Sequence, residues 1–325
     1  MTAPGEHIPV LMDEVLRTLD PQPGDTVLDC TVGLGGHAAA MAERIGPTGT
    51  LLMLDVDADN LAVAQSRVLA LARPPRVIAV HSPFSAAARL VQEHGLIVDV
   101  LLADLGFSSN QIADAARGFS FQRDGPLDMR LDPTAPISAA ELVNTLPERE
   151  LEQIIRSFGE DPAAGRIAAG IVRARAAGPI TTTANLAAAV HAAVGRPRGG
   201  RGHSPIDPAT KTFQALRIAV NDELGHLDAL LSAIRRGAEL ARTTWLRTGG
   251  APGSRGARIG IIAFHSLEDR PVKQAFGALV AGGRAEATQK GAIQAGDSEL
   301  AHNPRARSAR FRAIRLITRP SEHVQ

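Results

Sequence analysis

Asp29-Cys30-Thr31-Val32-Gly33-Leu34-Gly35-Gly36-His37 decides the fold of this chain. The apolar pair Val27-Leu28 before it reads as the end of a buried strand, and Ala38-Ala39-Ala40-Met41-Ala42-Glu43-Arg44-Ile45 after it is a helix-forming run. Strand, glycine turn and helix thus follow one another. Glycine takes positive φ readily and lets a ligand approach the main chain closely. The helix that follows offers free N–H groups and a positive dipole end to an electron-rich ligand. A second strand, Leu51-Leu52-Met53-Leu54, ends in Asp55. It lies about twenty residues beyond the glycines, the spacing at which an acid accepts hydrogen bonds from a ribose.

Gly33-x-Gly35-x-x-Ala38 also satisfies the dinucleotide pattern with alanine in the last place. Asp29 tilts the choice. A dinucleotide site usually runs straight from an apolar strand into the glycines, whereas Asp-x-x-x-Gly-x-Gly resembles the S-adenosylmethionine (SAM) site of Rossmann-like methyltransferases. A tight strand-to-helix turn with no ligand is the plain alternative.

The 325 residues suffice for one large domain or two ordinary ones, and 44% hydrophobic residues allow a sizeable core. Only 3% are aromatic and none is Tyr, so the core is built from Ala, Leu, Val and Ile, and a surface of many stacked aromatics for nucleic acid is not expected. The formal charge of +1 gives no global attraction to RNA or membrane. The charge is uneven, with arginines at 305, 307, 310, 312, 315 and 319 and no acid among them. Cys30 is the single cysteine, so no intrachain disulfide is possible, which fits a reducing compartment. No signal peptide and no membrane-spanning run are expected, and the expected location is the cytoplasm.

Strands are expected at 27–29, 50–55, 76–80 and 98–103, with helices at about 37–45, 59–72 and 85–94. That alternation implies a parallel sheet covered on both faces, whose ligands sit beyond the carboxyl ends of its strands. Those ends carry Asp29, Asp55, His81-Ser82-Pro83-Phe84 and Asp104. Asp57 or Asp59 is expected to cap a helix, and no metal site is expected. His7 either covers the cofactor pocket or is a surface histidine. Asp104-Leu105-Gly106-Phe107-Ser108-Ser109-Asn110-Gln111 suits a floor for a flat substrate, and no Gly-x-Ser-x-Gly elbow supports a hydrolase serine. The loop from Arg117 to Arg130 holds Phe119, Phe121 and Asp124. Its aromatics either stack on a base or anchor the loop to the core. Residues 137–195 read as helical, too long for a simple crossover, hence an inserted subdomain. The expected division is a methyltransferase domain of 1–112 and 209–325 and an inserted, mainly helical unit of 113–208. The basic loop 196–202 either touches phosphate or is a solvated linker. A helical stretch runs, with or without a break, from 212 to about 241, and 247–258 reads as a mobile excursion. Ile259-Gly260-Ile261-Ile262-Ala263-Phe264 is a fifth strand ending in His265, a base or an ordering contact. Residues 281–300 lack periodicity, and 311–317 reads as a final strand.

The nonapeptide from Asp29 to His37, Asp104-Leu105-Gly106-x-Ser108-Ser109-x-Gln111, Arg117 through Arg130, Thr212 through Leu224, Phe264 through Arg270 and Asn303-Pro304-Arg305-Ala306-Arg307-Ser308 together resemble the bacterial small-subunit ribosomal RNA cytosine-N4 methyltransferase family. The resemblance covers nearly the whole chain. It implies an α/β, Rossmann-like SAM-dependent methyltransferase sheet with an inserted helical subdomain. It also implies methylation of the exocyclic amine of one cytidine in the decoding region of 16S rRNA. The family's cofactor contacts carry over to Gly35, Gly36, His37, Asp55, Phe84, Asp104 and Gln111. Asp104, or Ser108 and Asn110, is the candidate acceptor of the amine proton. Arg117, Phe119, Phe121, Asp124, Arg130 and His265 are the candidate substrate contacts. The expected partner is 16S rRNA, within the small subunit, with no membrane and with room for a homodimer. The chain departs from the family at Asp207-Pro208-Ala209-Thr210-Lys211, where His-Pro-Ala-Thr-Arg is common, at Glu160-Asp161-Pro162, and at an insertion near 243–258. Two rivals stand beside this reading: a nicotinamide-dependent oxidoreductase, and a non-catalytic RNA-binding assembly factor that keeps the fold.

Overall fold

The computed structural model describes residues 9–195, 207–239, 245–249 and 255–317. His7, the 196–202 loop and Arg319 lie outside them. In chain order the elements are α1 (Met12–Leu19), β1 (Thr26–Asp29), α2 (Gly36–Ile45), β2 (Thr50–Asp55), α3 (Ala58–Leu69), β3 (Arg76–His81), α4 (Ala87–Glu93), β4 (Val100–Asp104), α5 (Ser109–Ala113), α6 (Ala139–Thr145), α7 (Glu148–Gly159), α8 (Ala164–Ala177), α9 (Thr183–Val194), α10 (Pro208–Asn221), α11 (Glu223–Glu239), β5 (Arg258–Ala263), α12 (Ser266–Ala281), β6 (Ala285–Ala287), α13 (Asp297–His302) and β7 (Arg310–Leu316). They fall into two compact units, one of residues 1–106 and 224–325, the other of 107–223.

The first unit is an α/β domain around one sheet of order β3-β2-β1-β4-β5-β7-β6. Its first five strands are parallel and β7 runs antiparallel between β5 and β6. Successive strand residues point to opposite faces. Leu28, Leu52, Leu54, Leu101, Ala103 and Ile261 accordingly join one core with α4, α11 and α12. Val27, Leu51, Met53, Val100, Leu102 and Ile262 join the other with α1, α2 and α3. A sheet apolar on both faces must be covered on both, which is why its strands read as unbroken hydrophobic runs. Arg258, buried at the start of β5, donates to the Leu19 carbonyl at 2.9 Å and pairs with Asp25, so the carboxyl end of α1 meets a cation.

The second unit is helical. α6 to α10 surround Leu151, Ile155, Ile167, Ile171, Leu186, Val190, Phe213 and Leu216. Local chemistry cuts the 137–195 stretch into four helices. Ser138 and Glu141 form a capping box before α6, Thr182 caps α9, and Glu160 at φ 46° ends α7 ahead of Pro162. Asp207 caps α10.

The structure corrects several expectations. The expected unit boundaries at 112/113 and 208/209 move to 106/107 and 223/224, because α5 belongs to the helical unit and α10 packs its Phe213 and Leu216 into the helical core. The helical stretch from 212 to about 241 does carry the break left open for it, at Asp222, which takes φ 46°. β4 begins at Val100 rather than 98, because the Asp99 carboxylate accepts the Thr26 N–H and pairs with Arg247. That pairing also ties down part of the expected 247–258 excursion: Trp245 is buried, Leu246 bridges to Val98, and Ala257 donates to the Arg247 carbonyl. β6 and α13 fill the stretch that lacked periodicity, three and six residues being too few to show a period.

Gly260 sits in the middle of β5 for a packing reason. A Cβ there would stand 2.5 Å from Cε2 of the fully buried Phe311. Gly260→Ala is expected to cost about 1–3 kcal/mol by overpacking, read as a lower urea midpoint with an unchanged slope.

Candidate active site

Three carboxyl groups mark the carboxyl ends of β1, β2 and β4. Gly33 (φ 52°) and Gly35 (φ 78°) turn the chain from β1 into α2 in a conformation side chains resist. At Gly35 a Cβ would also stand 2.8 Å from the Ala64 Cα of α3. The turn is fastened to the neighbouring strand by Asp55, which accepts the Gly33 N–H at 2.7 Å through one oxygen and the Asp57 N–H at 2.8 Å through the other. Asp57 in turn caps α3. Thr31 joins the other two strand ends: its N–H donates to Asp29 at 3.2 Å and its hydroxyl oxygen accepts the Asp104 N–H at 2.7 Å. His37 is buried in the first turn of α2, with Nε2 3.0 Å from the Val10 carbonyl and Nδ1 3.6 Å from Asp104 Oδ2. Gly36 admits Pro9 against the same turn. Phe84 follows β3 in a 3₁₀ turn and meets His226 of α11 edge-on, ring centroids 5.8 Å apart. Just beyond β5, Glu268 in the first turn of α12 accepts the Phe264 N–H at 2.8 Å and lies 3.4 Å from His265 Nε2. Gly35, Gly36, His37, Asp55, Phe84, Asp104 and His265 therefore all belong to the first unit. Sequence reasoning gave no role to Thr31, Glu268 or His226. Thr31 and Glu268 stood within motifs already quoted, whereas His226 carried no sequence signal.

Burial dominates the electrostatics. It pushes the Asp29 carboxyl up to about 7, the Thr31 N–H opposing and the Asp55 charge adding. It raises Asp55 to about 6 against its backbone hydrogen bonds. Asp104 is held well above the usual carboxylate range by burial first, then by the charges of Asp29 and Glu268. Asp104 Oδ1 is buried with no hydrogen-bond partner among the described residues. Among the described residues, then, Asp104 Oδ1 lacks a donor, and burial leaves the rim short of compensating charge. A cationic ligand supplies charge, as the sulfonium of SAM would, and its ammonium would supply N–H donors, while Asp55 has lone pairs left for ribose hydroxyls. A pyrophosphate would add negative charge to buried carboxylates, so the donor set fits SAM and does not fit a dinucleotide.

The remaining candidates lie in the helical unit. Ser108 caps α5 in a box with Gln111, whose Oε1 accepts the Ser108 N–H at 2.9 Å, and the Ser108 hydroxyl donates to the Asn110 side chain at 2.5 Å. Gln111 is buried and Asn110 exposed. Phe119 stacks on Phe107 at 5.8 Å, with the Arg117 guanidinium over Phe119 and that of Arg217 4.4 Å from the Phe107 centroid. Phe121 packs edge-on against Phe213. Of the two alternatives for these aromatics, the contacts match anchoring. Arg117 also donates to the carbonyls of Arg130 and Leu131. Arg130 makes a two-pronged pair with Asp128 and donates to the Ala135 carbonyl at 2.8 Å. Asp124 accepts the Ala184 N–H at the start of α9, which with neighbouring hydroxyls holds its carboxyl below the usual range. Asn221 clips the loop by accepting the Leu131 N–H and donating to the Met129 carbonyl.

The raised Asp29 value carries a pH signature. Between about pH 4 and 7 the folded carboxyl keeps a proton that the unfolded chain has lost, so this group's contribution falls as pH rises through about 7. Asp29→Asn keeps an acceptor for Thr31. In ligand-free protein it is expected to match wild type near pH 4 and to exceed its stability at pH 8 by on the order of 3 kcal/mol. Thermal melts across that range measure it.

The sequence pattern of the MraW methylase family matches residues 5–317. The ribosomal RNA small subunit methyltransferase H of Acidobacterium capsulatum is 44% identical over 312 residues, covering 94% of this chain and 97% of that one. The protein of the same name from Nitratidesulfovibrio vulgaris is 46% identical, covering 96% and 86%. A solved structure described as a putative rRNA-methylase from Clostridium thermocellum covers 94% of this chain and 95% of its own, at a TM-score of 0.41 and 13% identity. The assignment rests on the sequence relatives, whose match runs nearly end to end and includes every strand of the acidic rim: the chain belongs to the MraW methylase family.

Proposed function

We propose that the protein methylates the exocyclic N4 amine of one cytidine in the decoding region of 16S rRNA, using SAM. The observation that supports it best is the match to the MraW methylase family over residues 5–317, within which the buried acidic rim falls. SAM, when bound, supplies an electrophilic methyl group on a sulfonium. Gly35, Gly36, His37, Asp55, Phe84 and Gln111 are assigned to hold it. The Gly33 turn and Asp55 fix one another, so the ribose acceptor is set before the ligand arrives.

Cytosine's amine is a weak nucleophile because its lone pair is delocalised into the ring. An acceptor for one amine N–H lets it rehybridise and lose a proton. Asp104 is assigned that role, since its Oδ1 lacks a partner among the described residues and Thr31 fixes its backbone. Ser108 and Asn110 are the alternative acceptors. The cytidine must leave its stack to reach such a site. Arg117, Phe119, Phe121, Asp124 and Arg130 are assigned to the substrate side as the residues that hold the 117–131 loop in one conformation. His265, beside Glu268, is assigned to the substrate side of β5.

The substrate is taken to be 16S rRNA within the small ribosomal subunit, in the cytoplasm. No helix among the described residues is long and apolar enough to cross a membrane.

The deciding experiment incubates small subunits from a strain lacking the gene with the protein and labelled SAM, then locates the label by RNA digestion and mass spectrometry. A single N4-methylcytidine in the decoding region is the expected result. SAM binding with no labelled ribosomal RNA would return the reading to a non-catalytic assembly factor. Asp104→Asn is expected to lower turnover by at least about 100-fold. Full turnover with unchanged SAM affinity would remove Asp104 from the acceptor role.

A further inference from the structure

We propose that Arg305, Arg307 and Arg310 form a phosphate-binding edge on the rim of the first unit, gripping the RNA strand that flanks the target nucleotide. This rests on the RNA methylation reading above and adds where the strand is held.

The sheet register places the edge. Asp104 pairs with Ile262, Ile262 pairs with Phe311, and Arg310 pairs with Ala263. Arg310 thus opens β7 at the same end of the sheet as Asp104, two strands away. At about 4.8 Å between strands, the two backbones stand roughly 10 Å apart. The 3₁₀ turn Pro304–Ser308 runs directly into that strand. Asn303, Ala306 and Ala309 are buried while Arg305, Arg307, Ser308 and Arg310 are exposed. A repeat of three is the period of a 3₁₀ turn, so one stripe is anchored in the unit and the arginines are carried on the other. The buried stripe fixes the backbone from which the guanidinium groups extend.

The segment itself is positive. Residues 300–317 contain no acid. Asp269 of α12 lies 3.9 Å from Arg310 but is held in a two-pronged pair by Arg312, at 2.6 and 2.9 Å. Glu299 of α13 accepts the Leu11 N–H. All three cations are arginine, whose planar fork matches phosphate oxygens. A lipid surface fits less well, because none of the exposed large apolar side chains of the described residues falls in this segment.

The test uses the full chain and a labelled single-stranded RNA lacking cytidine, so that binding is read without methylation. For the variant Arg305→Ala/Arg307→Ala/Arg310→Ala, affinity near physiological salt is expected to fall about tenfold or more. The slope of log affinity against log salt should fall by about 2, three contacts at about 0.7 each. An unchanged affinity and slope would overturn the proposal, as would loss of binding to phosphatidylserine vesicles with RNA binding intact. An unshifted melting temperature and SAM affinity establish that the variant folds. Should it not fold, Arg307→Ala alone is expected to lower the slope by about 0.7, and no change would count against the edge. The two readings fail separately: wild type that binds RNA through these arginines but methylates no ribosomal RNA sinks the methylation reading alone. Wild type that methylates while the variant keeps its RNA affinity and slope sinks the edge alone.

Discussion

Burying carboxylates without counter-charge is the constraint on which the first unit is built. Asp29, Asp55 and Asp104 stand at the ends of three adjacent strands, where burial raises all three above the usual carboxylate range. An isolated buried carboxylate is expensive. The backbone around the rim is arranged to bear that cost. Gly33 and Asp57 donate to Asp55, Thr31 donates to Asp29, and the Thr31 hydroxyl holds the Asp104 backbone. The glycine turn, the α3 cap and the first turn of α2 are therefore parts of one polar network. A change in one member bears on the others. A cationic methyl donor meets carboxyl groups that are already gathered and desolvated, and its charge favours their ionised form.

The helical unit solves a different problem, which is how to hold an irregular loop still. Met129 is buried at φ 63°, an uncommon conformation for a side chain. It persists because Asn221 takes the place of a missing backbone partner on both sides of it. Gly118 and Gly125 let the loop backbone close on the Pro126 and Ala115 carbonyls at distances no Cβ would permit. Arg117 and Arg130 then tie off carbonyls that would otherwise face nothing. A segment dense in glycine and charge is thus held by side-chain hydrogen bonds to its backbone.

The sheet was legible in the sequence because parallel strands buried on both faces read as hydrophobic runs, and the rim because each run ends in an acid. Asp57 was legible as a cap from its place between strand and helix. Other features gave no such signal. Phe119 and Phe121 read equally well as base-stacking or anchoring residues, since an aromatic in a polar loop signals burial of some kind without naming its neighbour. The partner of Phe119, Phe107, lies just before the loop, whereas that of Phe121, Phe213, comes from about 90 positions later. The unit boundary after α10 was misplaced for a related reason. Helical periodicity tells which face of 208–221 is apolar, and not which core receives it. Arg247, in a Gly/Arg-rich stretch that reads as loop, is fixed by Asp99, about 150 positions earlier, and long-range ion pairs leave no local pattern.

The placement of the helical unit within the sequence bears on how the chain acquires its sheet. β4 and β5 are neighbours in register, yet Val100 pairs with a residue roughly 160 positions later, and the whole helical unit lies between them. Closing so long an unstructured loop before any contact rewards it is entropically costly and slow. The helical unit draws its own contacts from within 107–223 and can collapse independently. Once compact, it replaces a long flexible loop with a folded connection, which shortens the effective search for β4–β5 pairing. Its stability then influences the rate at which the acidic rim is assembled, even where its residues touch no ligand.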